Sequence, residues 1–252
     1  MALILVGLGL FNERDITVGG LDALNRAHVI YAEMYTNLWG GSLKTLEGWC
    51  EKEIILLPRS GLEEGAQKII EEATGWDVAV CVPGDPLAAT THLHLVAQAR
   101  KRGIQVRIVH ASSIFSAVAE CGLHLYKMGR TTTLAYPEGS YRPKSPYLVI
   151  ADNKEAGLHT LVLLDVKADE GRYMTVTEGL SLLSEFESEE RKGVCGPDSL
   201  VVGIARLGSD DAVIKAGTLK DLLKFDFGQP PHCLIIPGKL HFTEEEMLDS
   251  YK

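Results

Sequence analysis

The sequence predicts an α/β protein made of two α/β domains, the first built on a mostly parallel sheet. Three observations carry this. Short apolar, β-branched runs at residues 2–6, 29–32, 54–57, 77–82 and 104–109 alternate with helical stretches, and strand–helix–strand order gives a parallel sheet. Three of these runs end in turns with ligand-friendly chemistry, at residues 7–10, 83–88 and 110–114, and a parallel sheet would open all three on one edge. Beyond about residue 123 the spacing changes, which places the domains at 1–115 and 116–252. No low-complexity linker marks the boundary, and no internal repeat is visible. A chain of 252 residues is long enough for two modest domains.

The elements follow in order. After the first strand, Gly7-Leu8-Gly9-Leu10 is a glycine turn without the full GxGxxG pattern, a weak dinucleotide signal that a plain tight turn would also give. Asp15 is placed to cap a helix to about Ala27, with Ile16, Leu21 and Leu24 on one face. The strand at 29–32 runs into Glu33-Met34-Tyr35-Thr36. After the strand at 54–57, Ser60-Gly61-Leu62-Glu63 has capping-box spacing for a helix to Ala73. The strand at 77–82 meets Pro83-Gly84-Asp85-Pro86, and a helix over 91–102 stops at Gly103. In that turn the prolines remove two backbone donors and fix two φ angles, and Gly84 allows close approach to the backbone. Asp85 then either faces a ligand or bonds its own turn. Ser113 is placed to cap a helix through Cys121.

In the second half, strands are expected at 131–136, 158–166, 200–205 and 233–236, with a short extended piece at 211–215. Helices are expected at 145–156, at 175–186 and from Gly217-Thr218 to Leu223. The charged run at 185–192 reads as a solvated face.

Composition narrows the function classes. Hydrophobic residues at 46% and charged residues at 23% describe an ordinary soluble globular protein. A net charge of −9 argues against a nucleic-acid partner, which needs a basic face. No apolar run is long enough to span a bilayer, and the start shows no signal peptide, so a cytoplasmic protein without a membrane partner is expected. Five cysteines without a CxxC pair read as reduced and mostly buried. No metal site is expected: His92 and His94, at i and i+2, do not share a helix face, and no HExxH occurs. GxSxG and GxxxxGKS/T are also missing. The residues alone describe an α/β protein that binds a small polar ligand at its strand ends.

Several motifs go further. They are Leu5-Val6-Gly7-Leu8-Gly9-Leu10, Tyr31-Ala32-Glu33-Met34-Tyr35-Thr36, Pro83-Gly84-Asp85-Pro86, Ala89-Thr90-Thr91-His92 and His110-Ala111-Ser112-Ser113-Ile114. The second half adds Gly122-Leu123-His124, Tyr136-Pro137-Glu138-Gly139, Gly157-Leu158-His159-Thr160, Asp226-Phe227-Gly228-Gln229-Pro230-Pro231-His232 and Pro237-Gly238-Lys239-Leu240-His241. Through them the whole chain resembles the diphthine synthases, a branch of the tetrapyrrole-methylase-like S-adenosylmethionine (SAM) methyltransferases. The Gly-Asp-Pro turn is shared across that class, whereas the Tyr-Pro-Glu-Gly, Pro-Pro-His and Pro-Gly-Lys-Leu-His pieces belong to the diphthamide branch. The class usually repeats Gly-Asp-Pro after its first glycine turn. Here Leu10-Phe11-Asn12-Glu13 follows, which points away from porphyrin or corrin substrates.

The resemblance implies SAM folded into a cleft between the domains, S-adenosylhomocysteine (SAH) as product, and a homodimer. It implies SAM contacts at Leu10, Asp85, Ala88, Ser113, Ile114, Leu164, Leu207 and His232, of which His232 also reads as a satisfied structural histidine. The implied reaction is methylation of the amino group on the 3-amino-3-carboxypropyl histidine of translation elongation factor 2. No general base is assigned; Glu138, His124, Tyr136 and His159 are candidates by residue type, and Arg142, Lys144 and Lys167 are candidate partners for the substrate carboxylate. A tetrapyrrole or ribosomal RNA methyltransferase of the same fold, and a non-catalytic SAM- or nucleotide-binding module, remain the alternatives.

Overall fold

Five parallel strands form the first sheet. The structure, a computed structural model, describes residues 1–63 and 65–252, without the side chain of Glu63. The chain divides into two units, Met1–Ala117 and Val118–Lys252. In the first, β1 (Ala2–Gly7), α1 (Val18–Arg26), β2 (Val29–Glu33), α2 (Leu43–Cys50), β3 (Ile54–Leu57), α3 (Arg59–Glu63), α4 (Ala66–Gly75), β4 (Val78–Val82), α5 (Leu93–Lys101), β5 (Gln105–Val109) and α6 (Ile114–Ala117) follow in order. The strand order is β3-β2-β4-β1-β5. Every residue of β4 is buried, as a strand covered on both faces requires. Helices α1 and α2 bury Leu24, Leu46 and Cys50 on the face that carries Ile4, Val6, Ala79 and Cys81. The alternate residues Leu3, Leu5, Val78 and Val80 are also buried, and α4 packs on β1 and β4 beside α5.

Three local expectations need correction. Thr17, not Asp15, caps α1: its Oγ1 accepts Gly20 N at 3.0 Å. The Asp15 carboxylate instead accepts Phe11 N at 2.7 Å and Asn12 N at 3.2 Å, closing a short 3-10 turn over Glu13–Asp15. The helix expected from Ser60 to Ala73 is two helices. Ser60 lies inside α3 and α4 restarts at Gly65, where an added Cβ would meet Gly61 O at 2.7 Å. The Glu63 half of the expected capping box lies outside the described residues. Helix α2 was not expected, because only Leu46 and Cys50 of its eight residues are buried and Gly48 interrupts it. Ser42 Oγ caps it by accepting Thr45 N at 3.2 Å.

In the second unit, β6 (Thr132–Leu134), α7 (Ser145–Glu155), β7 (Thr160–Leu164), β8 (Val166–Lys167), β9 (Arg172–Tyr173), α8 (Val176–Glu190), β10 (Leu200–Ala205), β11 (Val213–Thr218), α9 (Leu219–Leu222), β12 (His232–Ile236) and α10 (Phe242–Asp249) follow. The main sheet has the order β11-β10-β12-β7-β6 and is antiparallel except for the parallel β6–β7 pair. Its core gathers Tyr147, Ile150, Leu180, Leu183, Phe186 and Val201. Helix α8 runs four residues past the expected end, into the charged run. Glu187 there does not merely face solvent. Its carboxylate accepts Tyr147 Oη at 2.9 Å, Gly193 N at 2.7 Å, and Val194 N and Cys195 N at 2.8 Å each. All five cysteines are free and buried, two in the first unit and three in the second. Among the described residues no helix is long and apolar enough to cross a membrane.

Helix α10 was also not expected, because its inner face holds a carboxylate where periodicity looks for an apolar residue. Glu244 is fully buried. It accepts His124 N at 2.9 Å, His159 Nε2 at 2.9 Å and His241 N at 2.7 Å, and it pairs with the Lys127 ammonium. Burial alone would raise this carboxyl. The Lys127 bond, the His124 and His241 amides and the His159 N–H together hold it down at about 2. Its pKa in the folded chain lies below the usual 4.5, so the stabilisation is complete above about pH 4.5 and is lost as pH falls toward 2. Glu244→Gln should therefore cost about 3 kcal/mol at pH 7. In urea denaturation the gap from wild type should shrink as pH drops from 5 to 3. A gap that stays constant over that range would count against an ionised Glu244.

Candidate functional site

The turns after β1, β4 and β5 meet at the carboxyl ends of three adjacent strands. Leu8 N donates to Val82 O at 2.8 Å. Gly9 and Gly84 then form an antiparallel bridge, with Gly84 N to Gly9 O at 2.8 Å and Gly9 N to Gly84 O at 3.2 Å. Contact this close explains the first glycine turn. A Cβ on Gly7 would sit 2.7 Å from Gly84 O and 2.8 Å from Ala111 Cβ. Gly9 has φ +85°, and a Cβ there would lie 2.2 Å from Asp15 Cβ. The facing side of Gly84 is open, since a Cβ there would find only Ser113 Cβ at 3.8 Å.

Asp85 ties the turns together. Its Oδ1 accepts Leu87 N at 3.0 Å, so the turn-forming role weighed from the sequence is real. Its Oδ2 also reaches the third turn, 2.7 Å from His110 Nδ1 and 3.3 Å from Ala111 N. Each oxygen keeps further acceptor capacity. Ala88 N donates to Asp85 O at 3.1 Å, and Ala89 is held at φ +56°, a strained conformation for a residue with a Cβ. Ile114 begins α6, and Ser113 just before it accepts Ala117 N on its carbonyl at 3.0 Å. Leu10 and Ile114 are half-buried and Ser113 is buried. The structure thus brings Leu10, Asp85, Ala88, Ser113 and Ile114 to one edge of the first sheet.

In the second unit, Leu164, Leu207 and His232 share a sheet edge. Ala205 pairs with His232 and Leu163 with Cys233, so the ends of β10 and β7 flank the start of β12. Arg206 holds the turn to Leu207, donating to Asp211 Oδ2 at 2.7 Å and to Phe227 O at 2.8 Å. His232 has both ring nitrogens engaged. Val176 N donates to Nδ1 at 3.2 Å, so Nε2 carries the proton and donates to Gln229 O at 3.0 Å. Burial pushes its pKa down, which keeps the ring neutral. Only the ring's faces and edges remain for a ligand. The ring lines an open pocket of about 220 Å³ with Thr175, Asp226, Phe227 and Gly228. The Asp226–His232 motif pointed to this region, but Thr175 carried no signal in the sequence.

The candidates for a base are occupied. His159 accepts Gly238 N on Nδ1 at 3.0 Å and donates from Nε2 to Glu244, so its lone pair is taken. Burial keeps it neutral by lowering its pKa. His124 lies in the same cluster, with Nε2 3.3 Å from Thr243 Oγ1. Tyr136 Oη donates to Glu178 at 3.3 Å, and burial with the facing Glu178 raises its phenol, which disfavours the phenolate at neutral pH. Glu138 is exposed and paired with Lys167, which lowers its carboxyl and weakens it as a base. The candidate cations have partners too. Arg142 binds Glu185 and Glu189 at 2.6 and 2.5 Å, and Lys144 binds Glu189 and Glu190 at 2.8 Å each.

Comparison with known proteins agrees with this architecture. The family model described as Tetrapyrrole (Corrin/Porphyrin) Methylases matches residues 2–223. A diphthine synthase of Methanocaldococcus jannaschii is 47% identical over 249 residues, covering 98% of this chain and 97% of the relative. One from Methanococcus maripaludis strain C5 is 46% identical over 247 residues, with the same coverage. A crystal structure of diphthine synthase superposes with a TM-score of 0.90 at 36% identity, covering 100% of this chain and 96% of that one. With sequence and fold in agreement over nearly its whole length, the chain belongs to the diphthine synthases of the tetrapyrrole methylase family.

Proposed function

We propose that the chain transfers methyl groups from SAM to the amino group of the 3-amino-3-carboxypropyl histidine of translation elongation factor 2, the diphthine-forming step of diphthamide biosynthesis. The observation that carries this reading is 47% identity to a diphthine synthase across 98% of the chain. The departure at Leu10–Glu13 from the class's second Gly-Asp-Pro supports a substrate other than a tetrapyrrole. The net charge of −9 supports a protein over a naked RNA. A cytoplasmic homodimer completes the reading.

The residues present fit SAM. The open side of Gly84 lets a ligand lie against the turn, and the spare acceptor capacity of Asp85 suits ribose hydroxyls. Leu10 and Ile114 supply apolar walls, beside Ala88 and Ser113. The backbones of Leu164 and Leu207 suit the hydrogen-bonding edge of adenine, and His232 offers a ring face. SAM supplies an activated methyl on a sulfonium. The chain's contribution is to align the substrate amine's lone pair with it, and such orientation supplies a large part of a two-reactant barrier. No side chain is assigned as base, in keeping with the engagement of His124, Tyr136, Glu138 and His159.

Asp85→Asn should weaken SAM binding by about 10- to 150-fold, the range for a hydrogen bond to a charged group. Calorimetry should give the same SAM affinity for wild type with and without EDTA. A folded Asp85→Asn protein that binds like wild type would assign Asp85 to the turns alone.

Turnover tests the substrate. Mass spectrometry of elongation factor 2 incubated with the protein and SAM should show methyl groups on the aminocarboxypropyl histidine, with matching SAH release. Factor lacking that group should gain none, because plain imidazole offers neither the amine nor its neighbouring carboxylate. Methylation of the unmodified factor, or none on the modified factor while SAM still binds, would mean a different substrate.

A further inference from the structure

Behind the Gly-Asp-Pro turn lies a buried acid–imidazole pair that none of the chemistry above uses. The Glu33 and His92 side chains are 0% and 1% exposed. Glu33 ends β2, the neighbour of β4 in the sheet, and His92 immediately precedes α5. Glu33 organises the loop after β2: Oε2 accepts Tyr35 N and Thr36 N at 3.2 Å each, and Oε1 accepts Thr36 Oγ1 at 2.6 Å. His92 organises the loop after β4, with Nδ1 3.2 Å from Pro86 O. Proline has no N–H, so this carbonyl is the only backbone hydrogen-bonding group at residue 86. Thr90 Oγ1 donates to the same oxygen at 2.7 Å.

The two side chains face each other across 3.5 Å, His92 Nε2 to Glu33 Oε1, in a geometry that does not form a hydrogen bond. The protons can be counted from the partners. Pro86 O only accepts, so His92 Nδ1 carries a hydrogen. A neutral ring then turns the lone pair of Nε2 toward Glu33. Two facing lone pairs would repel and leave the buried Nε2 without a partner, so one further proton belongs between them. Burial raises Glu33 and lowers His92, which favours a neutral acid and a neutral ring over an ion pair.

We infer that Glu33 and His92 are positioning residues for SAM: a protonated Glu33 places its proton toward His92 Nε2, and His92 Nδ1–H holds Pro86 O, which fixes the segment from Asp85 to Ala88 against the loop after β2. The inference rests on the proposed SAM site at that segment. Removing the link lets the turn shift, and displacements of about 1 Å in a positioning element cost on the order of 100-fold in rate.

Nitrogen-15 NMR of the histidines in the wild-type protein should show His92 as the neutral Nδ1–H tautomer at pH 7. An Nε2–H tautomer or an imidazolium would overturn the inference. In kinetics, His92→Phe should raise KM for SAM at least 10-fold and leave KM for the modified elongation factor within twofold. Glu33→Gln, whose amide N–H replaces the acid O–H, should stay within twofold of wild type in SAM affinity, whereas Glu33→Leu should behave like His92→Phe. Equal losses in Glu33→Gln and Glu33→Leu, or an unchanged KM for SAM in His92→Phe, would overturn it. Ala88→Trp, run alongside, separates the two readings. If Ala88→Trp abolishes SAM binding and His92→Phe does not change it, the site stands and the positioning role falls. If Ala88→Trp binds SAM normally, the site itself is misplaced and the inference falls with it.

Discussion

Two hydrogen bonds between the backbones of Gly9 and Gly84 are the constraint on which the first unit's turns depend. They bring the chain leaving β1 into contact with the chain leaving β4, closer than a side chain at Gly7 would permit. Two consequences follow. Gly7 must lack a side chain, because a Cβ there would strike Gly84 O, and Asp85 is delivered to the point where one carboxylate reaches both its own turn and the turn after β5. The parallel sheet supplies the common edge, and the bridge locks two of the turns together on it.

Carboxylates wholly or partly withdrawn from solvent recur wherever irregular chain must be held. Glu33 gathers the loop after β2, Glu187 the chain beyond α8, and Glu244 three separated segments around His124, His159 and His241. A carboxylate has about four lone-pair directions and can satisfy several backbone amides that no strand or helix serves. Each of these acids therefore does for loops what a ladder of hydrogen bonds does for strands. The cost is specificity of protonation state, and two of them differ: the Lys127 ammonium and the facing N–H groups hold Glu244 low, whereas burial raises Glu33 against the opposing charge of Arg59.

Much of this was legible in the sequence because the first unit is repetitive. Apolar runs such as Val78–Val82 bounded by Gly and Pro turns leave little choice but buried parallel strands, and their shared polarity places the turns together. What escaped was encoded in contacts rather than in periodicity. Helix α10 centres its inner face on Glu244, so hydropathy shows nothing there. Helix α2 buries only two residues. The capping role belonged to Thr17 rather than Asp15 because the tight contact at Gly9 draws Asp15 into a different turn. For the candidate site, the motifs at 83–86 and 110–114 marked turns that do meet at one sheet edge, but a sequence cannot show that both nitrogens of His232 are already bonded or that His92 points inward at a carbonyl. Those facts depend on which strand neighbours which.

The distribution of the buried cysteines has a practical consequence. Cys50 and Cys81 lie inside the first unit, and Cys121, Cys195 and Cys233 inside the second. Burial pushes Cys81, Cys195 and Cys233 well above the normal thiol range, so reaction with an alkylating reagent must wait for the surrounding structure to open. The protein thus carries a built-in set of clocks. Reading by peptide mapping which thiols are modified first would report the opening of each unit separately, in the native chain and without an added label.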